Sequence, residues 1–386
     1  MHRNPIRPLL VFVFVLLLSS CKSSRDSGYP IILLSPLSGG QSGLGRQVDR
    51  ALKIVEKELR DAHDVSISIH EVDTASQPTV ARAEAERALD HYQSKFLVGS
   101  LLSGETRNLL QPLLEKGVIV LANGSSDPTI RTLPYRRALD GFFRNWPSDD
   151  VEGRAMADYV FGTQQKRNLA VFCSDDSYSR ALTASFVRRF RELGGAVNEP
   201  EIFTTSTTSF ESVLSRIDVS DASHVDGYYI VALPRDLAGI YNTIRNTSNA
   251  KAATLPIFSA VSAETTEFKK VVDKPLDRLF FTSPAPDLTS AQYFNFKESY
   301  MKEYNGEAPD IVASITYDAL HIMIDAVKAG HNDPQQVKTF LYNMAPYPGT
   351  TGPTKFDNWG DVVSKPIAIH FYEGGLLRLA EALPVK

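Results

Sequence analysis

Apolar runs of strand length alternate with helix-period patterns along most of this chain, and that alternation admits few folds. Residues Ile31, Ile32, Leu33 and Leu34 form a continuous apolar run, read as a buried strand, followed by a turn-rich stretch at 36–40. Ala51, Ile54, Val55 and Leu59 then fall on one face of a helix. Val65, Ile67 and Ile69 alternate as in a half-buried strand, 80–91 is rich in the helix formers Ala, Glu and Arg, and 96–99 is again a strand. A helix over 106–114 and a strand over 118–121 complete the first set.

The rhythm restarts at 149. The sequence predicts a helix over 149–160, opened by a capping box of Asp149 with Glu152. It predicts strands at 169–173, 201–205, 228–232 and 256–259, with helices at 180–193, 212–217 and 237–245 between them. Gly194-Gly195 ends the second of these four helices. Three helical patterns follow Phe280-Phe281, at 293–304, 311–329 and 334–341, the last opened by Asp333 as N-cap with Pro334 at the first helical position. A strand at 366–371 and a Gly374-Gly375 turn close the chain. No fixed-period repeat is visible. Two successive β/α sets in 386 residues predict an α/β protein of two Rossmann-like lobes, each with a parallel sheet covered by helices. Ligands of such sheets sit at the carboxyl ends of the strands, so two lobes can face each other across a cleft.

The first twenty-one residues are an address. His2, Arg3 and Arg7 precede an apolar run at 9–18, shorter than the ~20 residues a spanning helix needs. This is the pattern of a secretory signal peptide. It exits through Leu18-Ser19-Ser20-Cys21, which resembles a bacterial lipobox, in which the cysteine takes a lipid and becomes the first mature residue. An ordinary signal peptide with a chance cysteine is the other reading. Residues 1–20 are read as the leader and the small, polar 21–28 as a flexible tether. Loss of Arg3 and Arg7 moves the formal charge from −4 to about −6, with 39 bases against 45 acids. No basic stripe suits nucleic acid. Two cysteines are too few for a disulfide framework, and Cys173, inside an apolar run, reads as a buried structural thiol.

Catalytic patterns are missing. The eight histidines show no HxH or HxxxH spacing, and there is no P-loop. Gly40-Gln41-Ser42-Gly43 fails as a nucleophile elbow because Leu44 stands where glycine is needed, and the glycines at 39–45 do not fit a dinucleotide fingerprint. Asp175-Asp176 are neighbours in a βα loop and so are not aimed at one atom. The reading is a non-enzyme with no cofactor and no metal. Binding chemistry is better represented. The loop 99–104 follows a strand and precedes a helix, placing Ser103 near an N-cap where unpaired N–H groups and the helix dipole can hold an anion. The loop 123–128 follows the next strand and carries Gly124, Ser125 and Ser126. Two such loops could grip one carboxylate; the alternative is that the serines only cap helices.

These features resemble the type I periplasmic binding proteins that serve as branched-chain amino-acid receptors of ABC importers. The resemblance spans the mature chain. It rests on Pro36-Leu37-Ser38-Gly39, the 73–78 loop, the 98–106 serine loop, Phe143-Arg144-Asn145-Trp146-Pro147-Ser148-Asp149 at a crossover, Asp175-Asp176-Ser177-Tyr178-Ser179, Tyr317-Asp318-Ala319 and the 352–361 turn. It implies lobe one at 29–143 plus 284–351 and lobe two at 144–283 plus 352–386, joined by a three-stranded hinge that closes on ligand. It implies a ligand carboxylate at Ser103, backbone and hydroxyl contacts at Gly124 and Ser126 with Leu102 and Ser125 beside them, and an aromatic wall at Tyr178. Two positions depart from the family. Ala232 stands where an aromatic is usual, and Val261 stands where an acid holds the ligand's ammonium; Glu264 is the substitute acid within reach in sequence. A buried ammonium without an acid is costly, so the sequence favours a carboxylate lacking an α-ammonium, or another small polar molecule. The implied role is a lipid-anchored, exported receptor whose partners are a small solute, an importer permease and the membrane. The alternative is a non-transport lipoprotein of the same fold that regulates, for example, a cell-wall synthase.

Overall fold

A computed structural model describes residues 28–383 apart from 206, 208, 217–224, 285–289 and 364. The leader, Cys21 and the tether up to residue 27 lie outside the described residues.

Strands β1 (Tyr29–Ser35), β2 (Ile67–Asp73), β3 (Phe96–Val98), β4 (Ile119–Ala122) and β5 (Phe142–Arg144) form one all-parallel sheet in the order β2-β1-β3-β4-β5. Ile31 and Leu33 enter one core and Ile32 and Leu34 the other. Both faces are therefore covered, which is why the apolar run is unbroken rather than alternating. Helices α1 (Ser42–Asp61), α2 (Pro78–Tyr92) and α3 (Ser103–Glu115) make the crossovers.

The second sheet contains β6 (Asn168–Ser174), β7 (Ala196–Val197), β8 (Glu201–Phe203), β9 (Gly227–Val231), β10 (Ile257–Ser259) and β11 (Leu279–Pro284). Its order is β11-β10-β9-β6-β7, with β8 also on β6, all parallel. Taken in chain order, this is the connectivity of the first sheet repeated. The repeat is topological and has left no periodicity in the sequence. Helices α4 (Asp149–Asp158), α5 (Ser177–Glu192), α6 (Glu211–Leu214), α7 (Pro234–Asn246), α8 (Ala250–Thr254) and α9 (Thr266–Val271) accompany it.

The chain then returns to the first lobe with α10 (Ala291–Glu303), α11 (Ile311–Ala329) and α12 (Pro334–Asn343), and a small hairpin of β12 (Tyr347–Gly349) and β13 (Gly352–Thr354) follows. It ends on the second sheet as an antiparallel pair, β14 (Ile367–Glu373) and β15 (Leu376–Leu383). The sequence pattern finds β14 and the Gly374-Gly375 turn but not β15. Leu376, Leu377 and Leu379 are all exposed on that edge, so they offer no inward-outward alternation.

The expected capping box at Asp149 is corrected. The N-cap position falls one residue earlier, at Ser148, with no side-chain capping hydrogen bond, and Asp149 is inside the first turn with no solvent exposure. Asp333 does cap α12, accepting the Gln336 N–H at 2.9 Å. Cys173 is buried, and burial pushes its thiol up to about 11, as expected for an inert core cysteine.

Two buried polar clusters pin the crossings between the lobes. Arg144, 1% exposed, donates to Asp361 Oδ1 at 2.7 Å and to the Asp127 carbonyl at 3.0 Å. Asp318 accepts from the N–H groups of Thr350 and Thr351 at 2.7 and 3.1 Å, and Lys365 reaches Thr351 Oγ1 at 2.6 Å.

Candidate functional site

In a sheet of this order the ligand crevice opens where the connections reverse, beside the first and third strands. Both sheets put such a point at one shared cleft of about 370 Å³. From the first lobe come Gly40 and Gln41 after β1, Leu101 to Glu105 after β3, and Gly124 and Ser126 after β4. From the second come Asp175 to Tyr178 after β6, Leu233 and Pro234 after β9, and Val261 and Ser262 after β10. Trp146, on the crossover, also lines it.

The first-lobe wall is tied to itself. Ser38 Oγ donates to Asp73 Oδ2 at 2.6 Å, Ser76 Oγ donates to the Ser38 carbonyl at 2.8 Å, and the Gln41 N–H donates to Ser76 Oγ at 3.0 Å. The Ser126 N–H donates to Ser103 Oγ at 3.3 Å, joining the two serine loops. Gly124 makes that meeting possible: a Cβ there would stand 2.4 Å from Leu101 Cδ1 and 2.7 Å from its carbonyl oxygen. Ser103 is the first helical residue of α3, and Leu102 holds the cap position. The expected N-cap role is thus shifted by one, and the first-turn N–H groups still point outward from the helix start.

The second-lobe wall is organised around Asp176. It caps α5 by accepting the Ser179 N–H at 3.0 Å and takes the Ser174 hydroxyl at 2.6 Å. Asp175 turns outward to Arg180 at 2.7 Å. The two neighbours therefore diverge, as their adjacency in sequence predicts. Tyr178 packs against the apolar cores of both lobes, and its Oη is buried without a hydrogen-bond partner. The lobes touch at the mouth. Gly104 faces Ser177, Glu267 pairs with Arg46 at 3.0 Å and Arg235 at 2.5 Å, and Asp310 Oδ2 takes the Thr266 N–H at 3.0 Å.

Five of the six sequence-derived ligand residues, Leu102, Ser103, Gly124, Ser126 and Tyr178, line this cleft. Ser125 does not; it is fully buried behind the wall. Glu264 does not line it either, so the proposed substitute acid is corrected: it lies beside Ser283 and Tyr372, and burial pushes its carboxyl up to about 7. Val261 lines the cleft with apolar surface where the resemblance expects an acid, while Ala232, where it expects an aromatic, is buried and does not line the cleft; its neighbour Leu233 does.

Sequence reasoning missed three acids. Glu105 lines the cleft, is 1% exposed and faces Thr74 and Ser100, and burial pushes it up to about 7. Asp149 and Glu152 are fully buried directly behind the wall. The Asp149 N–H donates to the Ser126 carbonyl at 3.0 Å, and Glu152 Oε1 accepts from Thr282 Oγ1 at 2.6 Å. Burial raises Glu152 to about 7 and Asp149 well above its ordinary value, each aggravated or relieved by the groups around it: Glu152 and Asp127 raise Asp149, while Ser126 and Arg144 lower it. First-turn acids are so common at helix starts that no sequence signal separates these from ordinary dipole partners.

Residues 29–369 match the family described as periplasmic binding protein, and the chain belongs to that family. Leu/Ile/Val-binding protein homolog 1 of Brucella abortus (strain 2308) is 23% identical over 332 residues, 84% of this chain and 85% of the relative. Among solved structures, the leucine-binding protein LivK of Thermotoga maritima MSB8 superposes with a TM-score of 0.83 at 23% identity, covering 92% of this chain and 99% of that one. A solute-binding protein of an ABC transporter from R. palustris, in complex with benzoate, superposes at 0.80 and 17% identity, covering 93% and 97%. The fold is that of the type I periplasmic binding proteins.

Proposed function

We propose that this chain is the exported solute receptor of an ABC importer, held at the membrane by a lipid on Cys21, and that its lobes close on an amino acid or a related small polar carboxylate. The observation that carries the reading is the shared cleft: switch-point loops of two topologically equal sheets meet there, with the Ser103 hydroxyl and the first turn of α3 on one side and Tyr178 on the other. Family membership and the named amino-acid and benzoate binders among the relatives support it. Ser103 and Ser126 are the residues we assign to the solute carboxylate, because hydroxyl and helix-start N–H donors suit an oxyanion. We place the lobe limits at 29–143 plus 284–351 and 144–283 plus 352–386, so that closure turns on three connecting segments.

A thermal-shift screen of amino acids, amides, ureas, short carboxylates and benzoates tests the receptor role. A solute present at a hundred times its Kd is expected to add about 2.7 kcal/mol of stability. No stabilisation by any member would overturn the reading. Labelling with radioactive palmitate, compared between the native chain and Cys21→Ser, tests the anchor; equal label in both would remove it.

A further inference from the structure

The start of α3 carries an acid that the carboxylate-binding role leaves unused. Glu105 stands in the first turn of that helix, two residues after Ser103; it lines the cleft and is 1% exposed. A first-turn acid ordinarily turns back on the free N–H groups of its own helix. Glu105 does not, for both of its carboxyl oxygens lack a hydrogen-bond partner.

The groups around it supply no counter-charge. The 73–78 loop brings Thr74 and the negative Asp73, which is itself bonded to Ser38 and Ala75. The loop before α3 brings Ser100. On α3, Arg107 is turned away to Asp127 at 3.0 Å. Across the mouth, Ser177 faces Gly104, Asp175 is taken by Arg180 at 2.7 Å, and Asp176 is one more acid. Among the described residues that line the cleft, none is Lys, Arg or His.

Hydrogen-bond accounting points the same way. The Ser100 hydroxyl donates to the Leu102 carbonyl at 3.0 Å, so it has no second proton to give. It shares Thr106 Oγ1 at 3.2 Å and keeps one lone pair free. Toward Glu105 it can only accept, while Thr74 Oγ1, likewise unpartnered, can take either role. Such a setting suits the neutral carboxyl, whose O–H donates to one neighbour while its carbonyl oxygen accepts from the other. Burial acts in the same direction and pushes the group up to about 7. A solute carboxylate at Ser103 would sit on the same helix end. That end carries the equivalent of about half a positive charge, too little for two anions within one turn.

Resting on the receptor reading above, we propose that Glu105 is the proton-linked residue of the cleft: it is a neutral carboxylic acid whenever an anionic solute is seated at Ser103, so capture of a carboxylate takes up one proton from solvent wherever the free protein has lost it. Below about pH 7 the free protein already holds that proton and affinity is level; above it, affinity falls by about tenfold per pH unit, although the solute stays ionised throughout.

Isothermal titration of 4-methylpentanoate, benzoate and L-leucine at pH 6 and pH 8 tests it, with the tightest binder repeated in buffers of low and high ionisation enthalpy. Binding at pH 8 is expected to be about tenfold weaker than at pH 6, with proton uptake at pH 8 approaching one per solute. Glu105→Gln, neutral and of the same shape, is expected to bind within about threefold at the two pH values and to take up almost no proton. Glu71→Gln is the control: Glu71 is on β2 outside the cleft, burial also pushes it up to about 7, and its loss should leave the pH dependence of binding as in the native chain. Thermal melts check that the variants fold; should Glu105→Gln fail to, the proton count of the native chain decides. Affinity that is level or rises from pH 6 to pH 8, absence of proton uptake, or a slope kept in Glu105→Gln or lost in Glu71→Gln overturns the proposal and leaves the receptor role standing. Binding of none of the three solutes overturns this proposal, and failure of the whole thermal-shift screen overturns the receptor role as well.

Discussion

The two walls of the cleft are built on opposite principles. The first-lobe wall is largely tied to itself: Ser38, Asp73, Ser76 and Gln41 are bonded together, as are Ser103 and Ser126, and Gly124 lets two loops interlock, while Glu105 is its unpaired exception. The opposing corner leaves polar atoms unpaired at Ser126 Oγ, Trp146 Nε1, both Asp149 oxygens, Glu152 Oε2 and Tyr178 Oη. Ser126 belongs to both, its backbone N–H to the first and its hydroxyl to the second. A pre-organised wall loses little freedom on binding, while an unsatisfied one gains most from a partner that completes it. One side of the cleft thus supplies fixed geometry and the other supplies electrostatic demand.

The strongest way to break that contrast is to spoil the interlock. Gly124→Leu drives a side chain into Leu101, and a urea midpoint should report a loss of roughly 3 kcal/mol, the upper end for overpacking. Gly104→Ala is its control. A Cβ there meets Ser177 Oγ only at 3.6 Å, and the same measurement should move by less than about 0.5 kcal/mol, because alanine also suits the helix.

Next comes Ser103→Ala. It removes the proposed donor to the solute and the acceptor for the Ser126 N–H, so affinity for a carboxylate solute should fall by about 2 kcal/mol, some thirtyfold, in a titration. Unchanged affinity would show that the first-lobe wall does not grip the solute.

Buried acids on both sides of the cleft answer to pH. Burial raises Glu152 and Glu105 to about 7, so the folded state keeps these protons where the unfolded chain, with an ordinary pKa near 4.5, has lost them. Their stabilising share is full below about pH 4.5 and is lost as pH rises through about 7. Glu71, Asp236 and Glu264 add to the same slope. The free protein should therefore grow less stable from pH 5 to 7.5, and Glu152→Gln should flatten the curve by on the order of 2 kcal/mol.

The smallest effect belongs to the mouth. Glu267 is buried but its partners Arg46 and Arg235 are half-exposed, so Glu267→Gln should weaken solute binding by less than about 1 kcal/mol in dilute buffer and by nothing measurable at high salt.

Much of the fold was legible because its signals are local. Ile31 to Leu34 read as a doubly buried strand, 311–329 as a helix, and Asp333-Pro334 as a helix start, all from neighbours within a few residues. The serine loops were legible for the same reason: each follows a strand and opens toward the next element. Where pattern failed, the cause was non-local. Strand β15 shows no alternation because it is an exposed edge. Asp149 looked like half of a capping box because its neighbourhood in sequence is that of any helix start. Glu264 looked close to Val261 in number, but the turn through Val261–Glu264 carries its side chain toward Ser283.

By itself, the sequence determined the β/α alternation, the two lobes and the hydroxyl-bearing loops at strand ends, since each depends on hydrophobic period and turn chemistry over short spans, while the family was reached through the resemblance of motifs such as 143–149 and 352–361. Only the tertiary structure decided that two unlike stretches share one connectivity, that Ser125 faces away while Ser126 faces the cleft, and that Asp149 and Glu152 are fully buried behind it. Those facts depend on which segments, far apart in the chain, exclude water from one another, and burial of that kind is written in no single stretch of residues.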